Sequence, residues 1–121
     1  MNKTLQKAID GARAIPYVKG QQRHFALVTD KRGKVIGSGA NSYSRTHTIS
    51  FKHGKAQGNI EKCYIHAEQQ AIIRSLKSSV KEKHLYVARV YANGEPAPSM
   101  PCEICMSFIR SVGNIKSISF T

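Results

Sequence analysis

The chain has 121 residues, 40% of them hydrophobic, and its 19 lysines and arginines against seven acidic residues give a formal net charge of +12. Residues 1–121 therefore fit a single domain, too poor in carboxylates for a calcium or magnesium cage and without the roughly 18 apolar residues of a membrane span. No signal-peptide pattern begins the chain, so we expect a soluble, cytoplasmic protein. Its charge favours an anionic partner such as nucleic acid, a nucleotide or a membrane surface, and the alternative is a charge that serves only solubility.

The first half of the chain predicts a helix, a β-hairpin and a long loop. Apolar residues recur at helical spacing over residues 3–15, and Pro16 ends that helix. Apolar runs at residues 25–29 and 34–38 enclose a charged, glycine-containing turn, which is typical of a hairpin. Residues 41–62 are polar and basic, so we expect them to form a functional loop.

The second half predicts two helices that alternate with two strands. Helical spacing covers residues 64–77 and 103–111, the strands are residues 85–91 and 115–120, and residues 93–99 have turn composition. The element order is α-β-β-α-β-α-β, and its final β-α-β unit implies parallel strands with a right-handed crossover. The predicted fold is a three-layer α/β/α domain with a mixed sheet of four strands.

Three potential metal ligands and one carboxylate fall at the predicted starts of these two helices. His66 and Glu68 begin the first, and Cys102 and Cys105 begin the second. Two thiols three residues apart can reach one point from one helix face. With His66 they give three ligands and leave a fourth position open, which is typical of a catalytic zinc. A carboxylate beside a zinc-bound water, as Glu68 would be, is well placed to transfer protons.

Simpler explanations for these residues stay open at this point. A Cys-x-x-Cys pair alone is often a redox pair or half of a structural zinc site. A carboxylate at a helix start can simply satisfy backbone N–H groups. Cys63 is interpreted as a spare thiol, because a fourth protein ligand would close the site. His47 and His53 are better explained as solvated or substrate-contacting residues than as metal ligands.

The joint pattern, H-A-E at residues 66–68 and P-C-E-I-C at residues 101–105, resembles the signature of the cytidine/deoxycytidylate deaminase-like superfamily of zinc enzymes. The resemblance implies the cytidine deaminase-like fold, with Zn²⁺ held by His66, Cys102 and Cys105. It also implies a hydrolase that replaces the amino group on a cytosine-type base with oxygen from water, releasing ammonia.

The resemblance also assigns roles toward the substrate. Glu68 would be the proton shuttle, the backbone N–H of Ala67 would bind the base carbonyl, and Asn41 would hold the sugar. Histidine rather than cysteine as first ligand is similar to the deoxycytidylate, guanine, tRNA-adenosine and AID/APOBEC-like branches of the superfamily. The S-R-T-H segment at residues 44–47 resembles short phage-type deoxycytidylate deaminase-like proteins. Arg45 and His47 are therefore predicted substrate contacts, and Arg45 suits bidentate capture of a phosphate.

Three functions follow for comparison. The first is deamination of a free nucleotide, dCMP to dUMP in type. The second, favoured by the net charge, is deamination of cytosine or adenine in single-stranded DNA or RNA. The third is a catalytically inactive, zinc-stabilised nucleic-acid-binding domain, against which the intact Glu68 argues. The sheet of this family has a further strand after the one that corresponds to residues 115–120. The alternative to a four-stranded sheet is therefore a sheet whose fifth strand is supplied by a partner subunit in a homo-oligomer.

Overall fold

A computed structural model describes residues 2–19, 21–41, 67–99, 107, 109 and 115–121, which form two helices and five strands. The elements are α1 (Lys3–Ala14), β1 (Arg23–Thr29), β2 (Val35–Ala40), α2 (Ala67–Ser75), β3 (Lys83–Val90), β4 (Pro96–Ala97) and β5 (Ile115–Phe120). Ser107 and Ile109 are helical, as predicted for residues 103–111. Over the described ranges, neither helix is long and apolar enough to cross a membrane.

The sheet is mixed and places β3 beside three other strands. The order β2-β1-β3 is antiparallel throughout, β5 runs parallel to β3, and β4 pairs antiparallel with Arg89 and Val90 at the end of β3. The two-residue β4 is an addition to the four predicted strands. After the turn at Asn93 and Gly94 the chain doubles back along β3, so part of the predicted turn segment completes a five-stranded sheet.

Helices cover both faces of the sheet, which confirms the three-layer prediction. Helix α1 packs on the face that contains Leu27 and Ala88, whereas α2 packs on the face that contains Val28 and Val87. Successive strand residues point to opposite faces, so β1 and β3 are apolar on both sides, as central strands must be. The apolar residues that the two helices bury are alanines and isoleucines: Ala8, Ile9, Ala12, Ala67, Ala71 and Ile72.

Side chains stabilise one end of each helix, the N-terminus of α1 and the C-terminus of α2. Asn2 caps α1, its Oδ1 accepting two first-turn N–H groups at 2.7 and 3.2 Å. Helix α2 ends at Ser75, two residues earlier than predicted, and Leu76, predicted to share its apolar face, is 44% exposed. There the buried Lys83 ammonium donates to the carbonyl oxygen of Ser75 at 3.0 Å. A cation at a helix C-terminus complements the helix dipole, so it anchors α2.

A buried arginine ties the end of α1 to the turn after β3. Arg23 is 8% exposed, and its guanidinium donates to the carbonyl oxygens of Ile15 at 3.2 Å and Tyr91 at 2.6 Å. The same group lies 5.7 Å from the centre of the Tyr17 ring. One side chain thus joins a helix end, a strand and a turn that are far apart in sequence.

Replacing Arg23 with methionine is expected to lower the free energy of unfolding by about 2 kcal/mol, because charge-assisted hydrogen bonds to several carbonyls are lost together. Arg74→Met is the matched control, since Arg74 is exposed and donates to the carbonyl oxygen of Ser38 at 3.0 Å. Urea unfolding followed by circular dichroism measures both variants. Equal losses would show that Arg23 makes no special contribution.

Candidate active site

The start of α2 is buried on every side. Ala67 and Gln69 are fully buried, and Glu68 between them is 4% exposed. A surface helix normally turns one of three successive residues to water, so this turn is enclosed rather than laid on a surface. Glutamate is rarely buried because desolvation penalises its charge, whereas the positive end of a helix dipole favours a carboxylate in the first turn. The predicted proton shuttle therefore occupies a sheltered and electrostatically favourable position.

Two glycines in β2 allow α2 to lie directly on the strand. A Cβ atom at Gly39 would lie 2.8 Å from the carbonyl oxygen of Ala67 and 2.9 Å from the backbone nitrogen of Ala71. A Cβ atom at Gly37 would likewise meet the backbone of the same helix. These separations are shorter than normal contacts, so glycine is required for the close approach. The strand backbone thereby sets the height of Glu68 above the sheet.

A side-chain hydrogen bond fixes the register of α2 along β2. The Oε1 atom of Gln70 accepts from the backbone N–H of Ala40 at 3.0 Å. Gln70 is two residues after Glu68, and Ala40 directly precedes Asn41. The hydrogen bond of the Gln70 amide thus fixes the position of Glu68 relative to Asn41, the predicted sugar contact.

Asn41 follows the last residue of β2 and is bonded across to the beginning of β1. Its Oδ1 accepts from the backbone N–H of His24 at 3.0 Å, and its Nδ2 donates to the carbonyl oxygen of Gln22 at 2.9 Å. These bonds orient the side chain without using all of its capacity, because a primary amide can make four hydrogen bonds. Asn41 is therefore a rigidly placed polar group near the start of α2.

A polar cluster holds the segment that precedes the cysteine motif. Ser99 is 3% exposed, and its hydroxyl donates to the carbonyl oxygen of Val87 at 3.0 Å. The backbone N–H of Ser99 donates to the carbonyl oxygen of Thr121 at 3.0 Å, and the Thr121 hydroxyl donates to that of Ala97 at 2.5 Å. Ser99 comes three residues before Cys102, so this cluster attaches one flank of the predicted ligand pair to β3.

The flanks of both predicted ligand motifs lie at the same end of the sheet. Phe25 in β1 pairs with Ala40 on one side and with Ala88 on the other. The start of α2 is bonded beside Ala40, and the Ser99 cluster is bonded beside Ala88. The fold therefore brings the described flanks of the two motifs, the start of α2 and Ser99, to one end of the sheet, although the motifs are more than 30 residues apart in sequence.

Several predicted site residues lie outside the part of the chain that the structure describes. They are the predicted zinc ligands His66, Cys102 and Cys105 and the predicted substrate contacts Arg45 and His47. Cys63, interpreted as a spare thiol, and His53 also lie outside the described residues. Among the described residues, no three His, Cys, Asp or Glu side chains form a metal-binding group. The ligand set and the loop at residues 42–62 accordingly stay predictions.

Sequence reasoning missed the residues that support Glu68. Two glycines separated by one residue in a strand are a signal for close backbone approach, and Gly37 and Gly39 could have indicated the contact with a helix. The partners of Gln70 and Thr121 carry no comparable signal. Both bonds join segments that only the tertiary structure brings together.

Comparisons with known proteins add a family and a structural neighbour to these observations. A family model, described as the cytidine and deoxycytidylate deaminase zinc-binding region, matches residues 2–121. Among solved structures, the chain is similar to a cytidine deaminase from Mycobacterium tuberculosis, crystallised as a glutamate-to-glutamine mutant. The TM-score is 0.56 at 17% identity, covering 95% of this chain and 80% of that one. No curated protein sequence matches significantly. At this identity the structural likeness establishes the fold alone.

Proposed function

The chain belongs to the cytidine and deoxycytidylate deaminase family defined by its zinc-binding region, and from that premise we propose that it hydrolytically deaminates a cytosine-type base carried by a nucleotide. The reaction is dCMP to dUMP in type and releases ammonia. The observation that carries the proposal is the buried Glu68 in the first turn of α2, directly after the histidine and alanine of the family motif. A carboxylate exposed at the surface would match the motif but would not support proton transfer in an enclosed site.

The donor set fits a catalytic zinc ion. His66, Cys102 and Cys105 would hold it through one imidazole and two thiolates, a combination that leaves one position for water or substrate. When bound, zinc supplies the activation of the water that replaces the amino group. His66 directly precedes the buried start of α2, and Cys102 follows the Ser99 cluster, so both flanks are anchored. Because the three cysteines cannot all pair in disulfides, and free thiols are typical of a reducing compartment, we place the activity in the cytoplasm.

The remaining roles in the reaction are assigned to side-chain and backbone groups of the protein. Glu68 takes a proton from the attacking water and delivers it to the ring nitrogen. It then takes the remaining proton from the newly added hydroxyl group and delivers it to the amino group, which leaves as ammonia while the ring carbon keeps the oxygen as a carbonyl. The backbone N–H of Ala67 donates to the base carbonyl, and Asn41 binds the sugar through its remaining hydrogen-bonding capacity. The enclosed start of α2 keeps bulk water from the carboxylate, which strengthens its interactions with the substrate.

The choice of a deoxycytidylate-type substrate is supported by sequence. Histidine at position 66 and the S-R-T-H segment at residues 44–47 favour that branch over free cytidine. A single phosphate needs two or three cationic or hydrogen-bonding groups, and Arg45 and His47 supply them in the proposal. Deamination of a base within single-stranded DNA or RNA is the second candidate, favoured by the net charge of +12.

A substrate panel tests the proposal directly. Zinc-loaded protein is incubated with dCMP, cytidine, dCTP, guanine and oligonucleotides that contain cytosine or adenine, and products are identified by mass spectrometry. We expect dUMP from dCMP at a rate at least about tenfold above the other compounds, since the phosphate adds charge-assisted binding. Conversion of oligonucleotides without any mononucleotide product would establish the second candidate instead. Zinc-loaded protein that converts nothing would overturn both.

A further inference from the structure

Six exposed cations lie at the end of the sheet away from Glu68, and we call this surface the basic end. They come from the β1–β2 turn, from the segment between α2 and β3, and from β5: Lys31, Arg32, Lys34, Lys77, Lys81 and Lys116. The proposed deaminase chemistry uses none of them.

The sheet register brings these residues to one end. Thr29, the last residue of β1, pairs with His84 near the start of β3, and His84 pairs with Ser117 in β5. The β1–β2 turn therefore lies beside the starts of β3 and β5. The bond from Lys83 to Ser75 brings the end of α2, and hence the residues that follow it, to the same place.

The basic end is well separated from the candidate active site. Gly39 contacts Ala67 at the start of α2, whereas Lys34 lies five residues earlier along the chain. Five residues of extended strand span about 16 Å. A ligand held at the basic end therefore does not occupy the position beside Glu68.

Only part of this positive charge is compensated by the described acids. Asp30 accepts the backbone N–H groups of Arg32 and Lys34, each at 2.9 Å, and so serves the turn. Glu82 pairs with Lys116 at 2.6 Å between Oε1 and Nζ, and the hydrogen bond from Lys116 holds the pKa of the Glu82 carboxyl below its ordinary value. The basic end thus has six cations and two of the described carboxylates, so its electrostatic potential stays strongly positive.

We propose that the basic end binds the phosphate backbone of a single-stranded nucleic acid, as a site separate from the active site. Charge complementarity supports a polyanion, since lysine and arginine side chains replace the counterions that are condensed along a chain of phosphates. Two apolar side chains lie at the same end, Val35 at 40% and Leu76 at 44% exposure. A single strand exposes its bases to such contacts, whereas a duplex hides them.

The test uses a fluorescent oligothymidylate, whose base carries no amino group to remove. Affinity is measured against salt for wild type and for a triple variant, Lys31→Gln, Arg32→Gln and Lys34→Gln. The matched control loses the same charge elsewhere, by Lys3→Gln, Lys7→Gln and Lys19→Gln, all exposed in the structure. We expect the turn variant to bind about tenfold more weakly with a flatter salt dependence, and the control to lose much less.

Two further measurements separate this site from the active site. Glu82→Gln removes a compensating carboxylate and is expected to tighten oligothymidylate binding severalfold, while the turn variant keeps wild-type deamination of the mononucleotide that the panel identifies. Equal losses in the turn and control variants, or displacement of the oligomer by that mononucleotide, would overturn the proposal. Equal or tighter binding of duplex DNA would overturn the preference for single strands.

Discussion

Glu68→Gln is expected to lower kcat by about a thousandfold, because a positioned general acid–base contributes roughly 10²–10⁴ to such a step. The amide has nearly the same shape as the carboxylate but cannot accept and return a proton at neutral pH. Since Glu68 is 4% exposed, the replacement keeps the volume of the side chain in an enclosed turn. We therefore expect the folded state to be retained.

Glu95→Gln is the control for this variant, since Glu95 is an exposed carboxylate in the turn before β4. It should leave both kcat and stability unchanged. Zinc content, measured by mass spectrometry of the metal, should be the same in all three proteins, because Glu68 is not assigned as a ligand. A Glu68→Gln enzyme with near-wild-type kcat would contradict the assigned proton transfer, whereas loss of zinc would make Glu68 part of the metal site.

Gly39→Ala is expected to lower the free energy of unfolding by about 3 kcal/mol and to reduce kcat further than that loss of folded protein explains. The new Cβ atom would lie 2.8 Å from the Ala67 carbonyl oxygen, so α2 must move away from β2 at the end that carries Glu68. Overpacking against backbone costs more than against a flexible side chain, which can rotate away. Displacement of about 1 Å is enough to misplace a catalytic group.

Gly37→Ala separates the two effects of Gly39→Ala. Its Cβ atom would lie closer still to the backbone of α2, against the carbonyl oxygen of Ala71, but farther from the helix start, so at least as large a loss of stability with a smaller loss of kcat is expected. Ser38→Ala, whose side chain lies on the opposite face of the strand, should change little. Kinetics at a temperature where all variants are folded decide the matter. Equal kcat values for the two glycine variants would show that strand contact does not position Glu68.

The sequence predicts the elements well wherever a local pattern decides them. Helix α1 follows from its apolar spacing and Pro16, and the hairpin follows from two apolar runs around Asp30–Gly33. The end of α2 was predicted too late because Leu76 continues the apolar spacing, while the chain turns there and Lys83 closes the helix. Strand β4 depends on pairing with β3, which two residues of turn composition cannot reveal.

The candidate site divides in the same way. The identity of Glu68 follows from a motif, but its burial follows from Gly39 and the backbone of β2, which act from a distant part of the sequence. Net charge alone points to nucleic acid without saying where it would bind. The register of β1, β3 and β5 collects six exposed cations at the basic end, which connects part of that charge with a surface.

The Ser99 cluster also bears on the order in which the protein assembles. Ser99 precedes the cysteine motif in sequence, yet its backbone N–H is bonded by Thr121, which follows that motif and the whole of β5. A chain that has made α1, β1, β2 and α2 still lacks β3, the partner that covers the second edge of β1. The bond from the Ser99 hydroxyl to Val87 needs only β3, but the bond to Thr121 needs β5 as well, so the flank of the cysteines is held completely only after β5 has paired with β3. Metal capture by a complete ligand set is accordingly expected to be a late folding event, detectable as zinc uptake that lags the recovery of helical signal during refolding.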